Sequence, residues 1–132
     1  MPRQVFNSSR YHVPVPGFTQ AVLAPARGTF VFVSGITART ADGTIVAVGD
    51  IEGQTRQVLE NLKTILVEVG GDLEDVVRIV TYLRDMKDHP TVHALRREYF
   101  GDNPPASTSV QVSRLFDERQ LIEIEATAIL AQ

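Results

Sequence analysis

The sequence predicts a single α+β domain, and three observations carry that reading. Runs rich in β-branched and aromatic residues, bounded by turn formers, fall near the start, the middle and the end of the chain. Two segments between them change to helical spacing. The resulting order, strands, helix, strand, helix, two strands, is that of a sheet with its helices on one side.

Thr29 to Ser34 (Thr-Phe-Val-Phe-Val-Ser), flanked by Gly28 and Gly35, reads as a buried strand. Ala21 to Ala24 is its expected hairpin partner, with Pro25, Ala26, Arg27 and Gly28 as the turn. Asp42-Gly43 marks a further turn into a short strand, Thr44 to Val46. Asp50 is the expected N-cap of a helix whose apolar side carries Val58, Leu62, Ile65, Leu66 and Val69, with Arg56, Glu60, Lys63 and Glu68 opposite. Gly70-Gly71 ends it, because glycine enters the left-handed C′ conformation without a Cβ penalty.

Val76 to Leu83 is strand-like, with Val77, Ile79, Thr81 and Leu83 on one face. Asp88 and Pro90 suit the cap and first turn of a second helix that runs through His93 and Leu95 and stops at Gly101. Strands at about Thr108 to Val112 and Ile122 to Leu130 follow, joined through Asp117-Glu118-Arg119-Gln120.

Composition narrows the function. With 132 residues, 43% of them hydrophobic, the chain makes one domain spanning 1–132 and can bury a full core. Thirteen basic against sixteen acidic residues give a net charge of −3, with no basic stripe to neutralise a phosphate backbone, so nucleic acid is not the expected partner. Cysteine is absent, which removes disulfides, thiolate metal sites and a Cys nucleophile, and suits the cytoplasm. Met1 to Arg10 lacks the apolar region of a signal peptide, and no run is long enough to span a bilayer, so no membrane partner is expected.

Two helices cover one face of a sheet. Strands apolar on both sides, as in Phe30-Val31-Phe32-Val33 and Leu121-Ile122, then call for burial against other copies of the chain.

Four stretches carry a family resemblance: Ser34-Gly35; Asp50-Ile51-Glu52-Gly53-Gln54-Thr55-Arg56 with Asn61-Leu62; Gly71-Asp72-Leu73-Glu74-Asp75-Val76-Val77; and Ile122-Glu123-Ile124-Glu125-Ala126. In this order they resemble the reactive intermediate deaminase (Rid, or YjgF) family across nearly the whole chain. The resemblance implies a chorismate-mutase-like fold, a mixed six-stranded sheet backed by two helices. It also implies a homotrimeric barrel with pockets at the subunit clefts, and hydrolysis of small-molecule enamines or imines such as 2-aminoacrylate, without metal or organic cofactor.

Imine hydrolysis needs a placed water, a group that exchanges protons, and a cation for the substrate carboxylate. Alternation puts Glu123 and Glu125 on one face, so spacing leaves both open; the resemblance selects Glu123 as the catalytic acid–base. It also puts Ser34, Gly35 and Ile36 at the pocket. The family's carboxylate-holding arginine after Pro-Ala is here Ser107, following Pro105-Ala106. Activity on 2-aminoacrylate is therefore expected to be weak, and Ser107→Arg to raise it. The usual pocket tyrosine corresponds to Phe18, and an asparagine of the second helix to His93.

Arg39, in Ser34-Gly35-Ile36-Thr37-Ala38-Arg39, resembles a pattern in relatives acting on aminomuconate-type compounds; the alternative is an ordinary solvated loop arginine. His93 is read either as a proton-transfer group or as an ordinary hydrogen-bonding histidine. His12 and His89 lack partners at metal-ligand spacing, so no metal is expected. Ser107, Thr108 and Ser109 have no base at a defined spacing, and Ser107 and Ser109 stand as substrate contacts only. Enamine or imine hydrolysis is thus the leading reading. A non-catalytic trimer binding a small metabolite or a partner protein is the alternative. Ribonuclease activity is disfavoured by the acidic charge and the lack of an aromatic, basic groove.

Overall fold

A computed structural model describes all residues except Met1, Pro2, Val13, Pro14, Arg27 and Gln132. Among the described residues six strands, β1 (Gln4–Phe6), β2 (Ala21–Leu23), β3 (Thr29–Ile36), β4 (Val76–Leu83), β5 (Ala106–Gln111) and β6 (Ile122–Leu130), accompany two α-helices, α1 (Ile51–Glu68) and α2 (His89–Phe100). The strands are divided between two sheets. A four-stranded sheet has the order β3-β6-β4-β5, while β1 and β2 pair only with each other. β6 runs antiparallel to both neighbours and β4 parallel to β5, so the larger sheet is mixed.

Two expectations about the N-terminal half are corrected. Ala21–Leu23 does not form a hairpin with β3; it pairs with Gln4–Phe6 in the register Val5↔Val22. Side chains fix that choice: Asn7 Oδ1 accepts from the Gln20 amide at 2.7 Å, and Gln20 Oε1 accepts from the Ser8 amide at 2.7 Å. The turn proposed over Pro25–Gly28 includes Arg27, which lies outside the described residues. Thr44–Val46 is reduced to a single bridge between Arg39 and Ile45.

Helix α1 is bounded as its caps dictate. Asp50 Oδ1 accepts from the Gly53 amide at 3.1 Å. At the other end Gly70 takes φ +96°, and the Gly71 amide reaches back to the Leu66 carbonyl at 2.8 Å, a Schellman closure. The buried stripe differs from the expected one: Leu59 joins Val58, Leu62 and Leu66, whereas Ile65 and Val69 are exposed. Asp88 makes no side-chain cap for α2, because a 3-10 turn at Met86–Asp88 runs straight into the helix; Asp85 accepts from the Lys87 amide instead.

Helix side chains Val58, Leu59, Leu62, Val92 and Leu95 meet Ile79, Leu83, Ile122, Ile124, Ala126 and Ala128 in one core. Val76 replaces Val77 in it, since a bulge between Val76 and Arg78 shifts the alternation by one residue. The opposite face of the sheet carries Phe30, Phe32, Tyr82, Glu123 and Glu125 with no helix over it. Phe32 is 75% exposed there.

Candidate functional site

The candidate residues gather in two places, on opposite faces of the sheet. The first is on the open face, where β3 meets β6. Val33 pairs with Ala126 and Ile36 with Ile124, so β3 spends three residues where β6 spends two. This bulge at Ser34-Gly35 breaks the alternation and turns the Gly35 Cα toward Glu123. A Cβ on Gly35 would lie 2.7 Å from the Glu123 carboxyl carbon and overlap its oxygens, so only glycine lets the carboxylate lie here.

Neighbouring side chains hold this strand end. Asn61 of α1 donates to the Thr37 and Arg39 carbonyls at 3.2 and 2.9 Å. Gln120, which is 1% exposed, donates to Thr37 Oγ1 at 3.2 Å.

The two carboxylates left open by spacing differ in their engagement. Glu125 accepts a short hydrogen bond from the Tyr82 hydroxyl, and that bond to Glu125 pushes the Tyr82 pKa upward, keeping the hydroxyl a donor. Glu123 accepts no hydrogen bond from the described residues.

Arg39 lines an open groove of ≈ 400 Å³ with Gly35, Ile36 and Asn61. Its Nη1, however, donates to the carbonyl of Gly43 in its own loop at 2.7 Å.

The second gathering is on the helix side of the sheet, between α2 and the β4–β5 edge. Ser107 pairs with Ile79 and Ser109 with Thr81, so these three polar side chains share the face that α2 covers. Arg96 of α2, only 5% exposed, donates from Nη1 to Ser107 Oγ at 2.8 Å, and to Thr81 Oγ1 and Ser109 Oγ at 3.3 Å each. Burial pushes the Arg96 pKa down to about 10, which still leaves it charged at neutral pH.

Phe18 stacks on His93 with ring centroids 4.4 Å apart, and the Arg96 guanidinium lies 5.6 Å from the Phe18 centroid. Gly17, at φ +98°, brings Phe18 in this close; a Cβ there would sit 2.5 Å from His93 Cε1.

Arg96 is the residue that sequence reasoning missed. Ser107 itself carries no charge, but a guanidinium touches it from the helix. An added arginine at 107 would meet that buried cation, which removes the basis for expecting a gain from Ser107→Arg. A signal was present: Arg96 lies four residues from both Val92 and Phe100, on the buried stripe of α2.

His93 Nε2 lies 3.1 Å from the Pro16 carbonyl, so Nε2 carries the proton and Nδ1, buried, is a bare acceptor. Desolvation, with the nearby Arg96 and Arg97 charges, lowers the His93 pKa despite the opposing Pro16 contact. A histidine harder to protonate when folded favours unfolding as pH falls through the ordinary value of about 6.5. Wild-type melting temperature should therefore fall on acidification below that pH, and more steeply than that of His93→Gln. Equal slopes in a pH series of thermal melts would rule this out.

Together the fold and the two gatherings define a class: a small α+β domain with a carboxylate over a strand-end glycine and a guanidinium–hydroxyl cluster behind the sheet. No group of three His, Asp or Glu suited to a metal occurs among the described residues, and none of their helices is long and apolar enough to cross a membrane. Residues 11–130 match the family model described as Endoribonuclease L-PSP, and the chain belongs to that family, which includes the Rid proteins. It is 46% identical over 116 residues to a RutC family protein of Pyrococcus horikoshii, covering 87% of this chain and 88% of that one. It is 37% identical over 128 residues to the 3-aminoacrylate deaminase RutC of Acinetobacter baylyi, covering 97% and 98%. A Rid-family crystal structure from Yersinia pestis superposes with a TM-score of 0.89 at 36% identity, covering 98% of this chain and all (100%) of that one.

Proposed function

We propose that the chain is a hydrolytic deaminase of a reactive enamine or its imine tautomer, working as a homotrimer in the cytoplasm with its sites at subunit clefts. The observation that carries this reading is the Glu123 carboxylate, laid over Gly35 and without a hydrogen-bond partner among the described residues, beside the Tyr82-engaged Glu125. The reaction is R₂C=NH + H₂O → R₂C=O + NH₃. Glu123 takes a proton from the attacking water and returns it to the nitrogen, and collapse of the carbinolamine breaks the C–N bond. Similarity to a 3-aminoacrylate deaminase along nearly the whole chain supports the substrate class.

Placement on opposite faces means that Glu123 and the Phe18–His93–Ser107 cluster do not meet within one chain. A cleft between copies joins one face's carboxylate to the neighbour's cluster. The open apolar face around Phe30 and Phe32 is the surface such a trimer would bury.

The test is ammonia release from freshly generated 3-aminoacrylate and 2-aminoacrylate. Acceleration above the spontaneous rate is expected for at least one. Phe18, with no hydroxyl, and Ser107, with no charge, favour a second reading, a trimer that binds a small metabolite without turning it over. Ligand retention with no ammonia release would select it.

Gly35→Ala gives a finer check. The methyl group displaces the Glu123 carboxylate while touching little of the core, so turnover should fall by about 10²-fold, the effect of an approximately 1 Å misplacement. Melting temperature should move only slightly. Unchanged turnover would separate Glu123 from the chemistry.

A further inference from the structure

We propose that Arg96 is the cation that seats the ligand's carboxylate, making the cluster behind β5 a subsite for a small carboxylic acid that bears an N–H group. A guanidinium this deeply buried ordinarily faces a carboxylate, because an unpaired buried charge is strongly destabilising. Arg96 faces none among the described residues. Its three hydrogen-bond partners among the described residues, Ser107, Thr81 and Ser109, are all hydroxyls that accept from the same Nη1. Nε and Nη2 make no hydrogen bond to the described residues, so one edge of the planar fork stays free for a carboxylate.

The surroundings match such a ligand. Each hydroxyl that accepts from Arg96 keeps its own proton to donate to an incoming oxyanion. Arg96 lines a tight pocket with Gly17, Ile79, Phe100, Pro105 and Ser107, of ≈ 10 Å³, room for about one water or one carboxylate oxygen. His93 Nδ1, buried with no partner among the described residues, supplies an acceptor on the ring stacked against Phe18, suited to an amino or imino N–H. The family's clamp is thus carried by α2 rather than by β5, and the pocket keeps its sign. The N–H half of this inference rests on the deaminase reading; the carboxylate half does not.

Calorimetry of the full chain with pyruvate and with uncharged pyruvamide measures binding without turnover. Pyruvate should bind, and pyruvamide should bind much more weakly. Arg96→Gln keeps a donor for the hydroxyls but removes the charge and the fork, and should weaken pyruvate about 30- to 150-fold. Wild-type affinity in a folded Arg96→Gln protein, or equal affinity for pyruvate and pyruvamide, overturns the proposal.

Should that variant not fold, wild-type crystals grown with pyruvate decide the matter. A carboxylate within about 3.2 Å of the Arg96 guanidinium supports the assignment, and one seated elsewhere removes it. A protein that binds pyruvate through Arg96 yet releases ammonia from no enamine would end the deaminase reading and leave this subsite standing.

Discussion

Glu123→Gln is expected to lower deaminase turnover about 10²- to 10⁴-fold, the usual contribution of a positioned acid or base. Glutamine keeps the shape of the side chain over Gly35 and deletes only the proton acceptor. Because Glu123 accepts no hydrogen bond from the described residues, folding and assembly should be unchanged. Glu125→Gln is the companion variant: it alters the partner of the Tyr82 hydroxyl but should leave most of the turnover. Steady-state ammonia release by both variants checks the pair. A fully active Glu123→Gln beside a dead Glu125→Gln would move the role to Glu125, and two active variants would end the general-base mechanism.

Phe32→Glu should convert the proposed trimer to monomers. At 75% exposure Phe32 contributes little to the isolated domain, so the folded monomer should survive. In an assembly that buries the open sheet face, each copy would instead bury an unpaired carboxylate, at several kcal/mol per ion. Light scattering should give about three times the chain mass of 14.6 kDa for the wild type and a single chain mass for the variant. Wild-type mass in the variant would show that this face is not the interface. The dispersed variant should also lose turnover, since the two halves of the site lie on opposite faces of each chain.

What could be read from residues alone followed burial. Val76–Leu83 and Ile122–Leu130 have the expected bounds because they are central, rich in β-branched residues and packed on at least one side. The ends of α1 were legible in Asp50 and Gly70, whose cap chemistry is local. β1 and β2 are only three residues each, and their pairing is set by Asn7 and Gln20, contacts across the chain that no periodicity signals. Bulges account for two further differences: one exchanges Val77 for Val76 in the core, and the other turns Gly35 toward Glu123.

At the site, resemblance chose Glu123 over Glu125, and the Tyr82 hydrogen bond gives a physical reason for the two to differ. Arg96 escaped notice because an arginine in a helix reads as solvated until its neighbours in space are known. Arg39, chosen from a motif position, lines the groove beside Gly35 and also donates from Nη1 to its own loop.

The position of β6 bears on how the protein is made. It is the last strand in chain order, yet it lies inside the sheet, antiparallel to β3 on one side and β4 on the other. Until Ile122–Leu130 emerges from the ribosome, β3 has no partner in this sheet, β4 has only β5, and the apolar face of α1 has an incomplete surface to rest on. A nascent chain halted before this segment would display the edges of β3 and β4 that β6 covers and the aromatic pair Phe30 and Phe32, the features that promote aggregation and recruit chaperones. Synthesis thus leaves the decisive pairing to the last of the described strands, and the non-local contacts that complete the sheet form only after β3, β4 and β5 have been made.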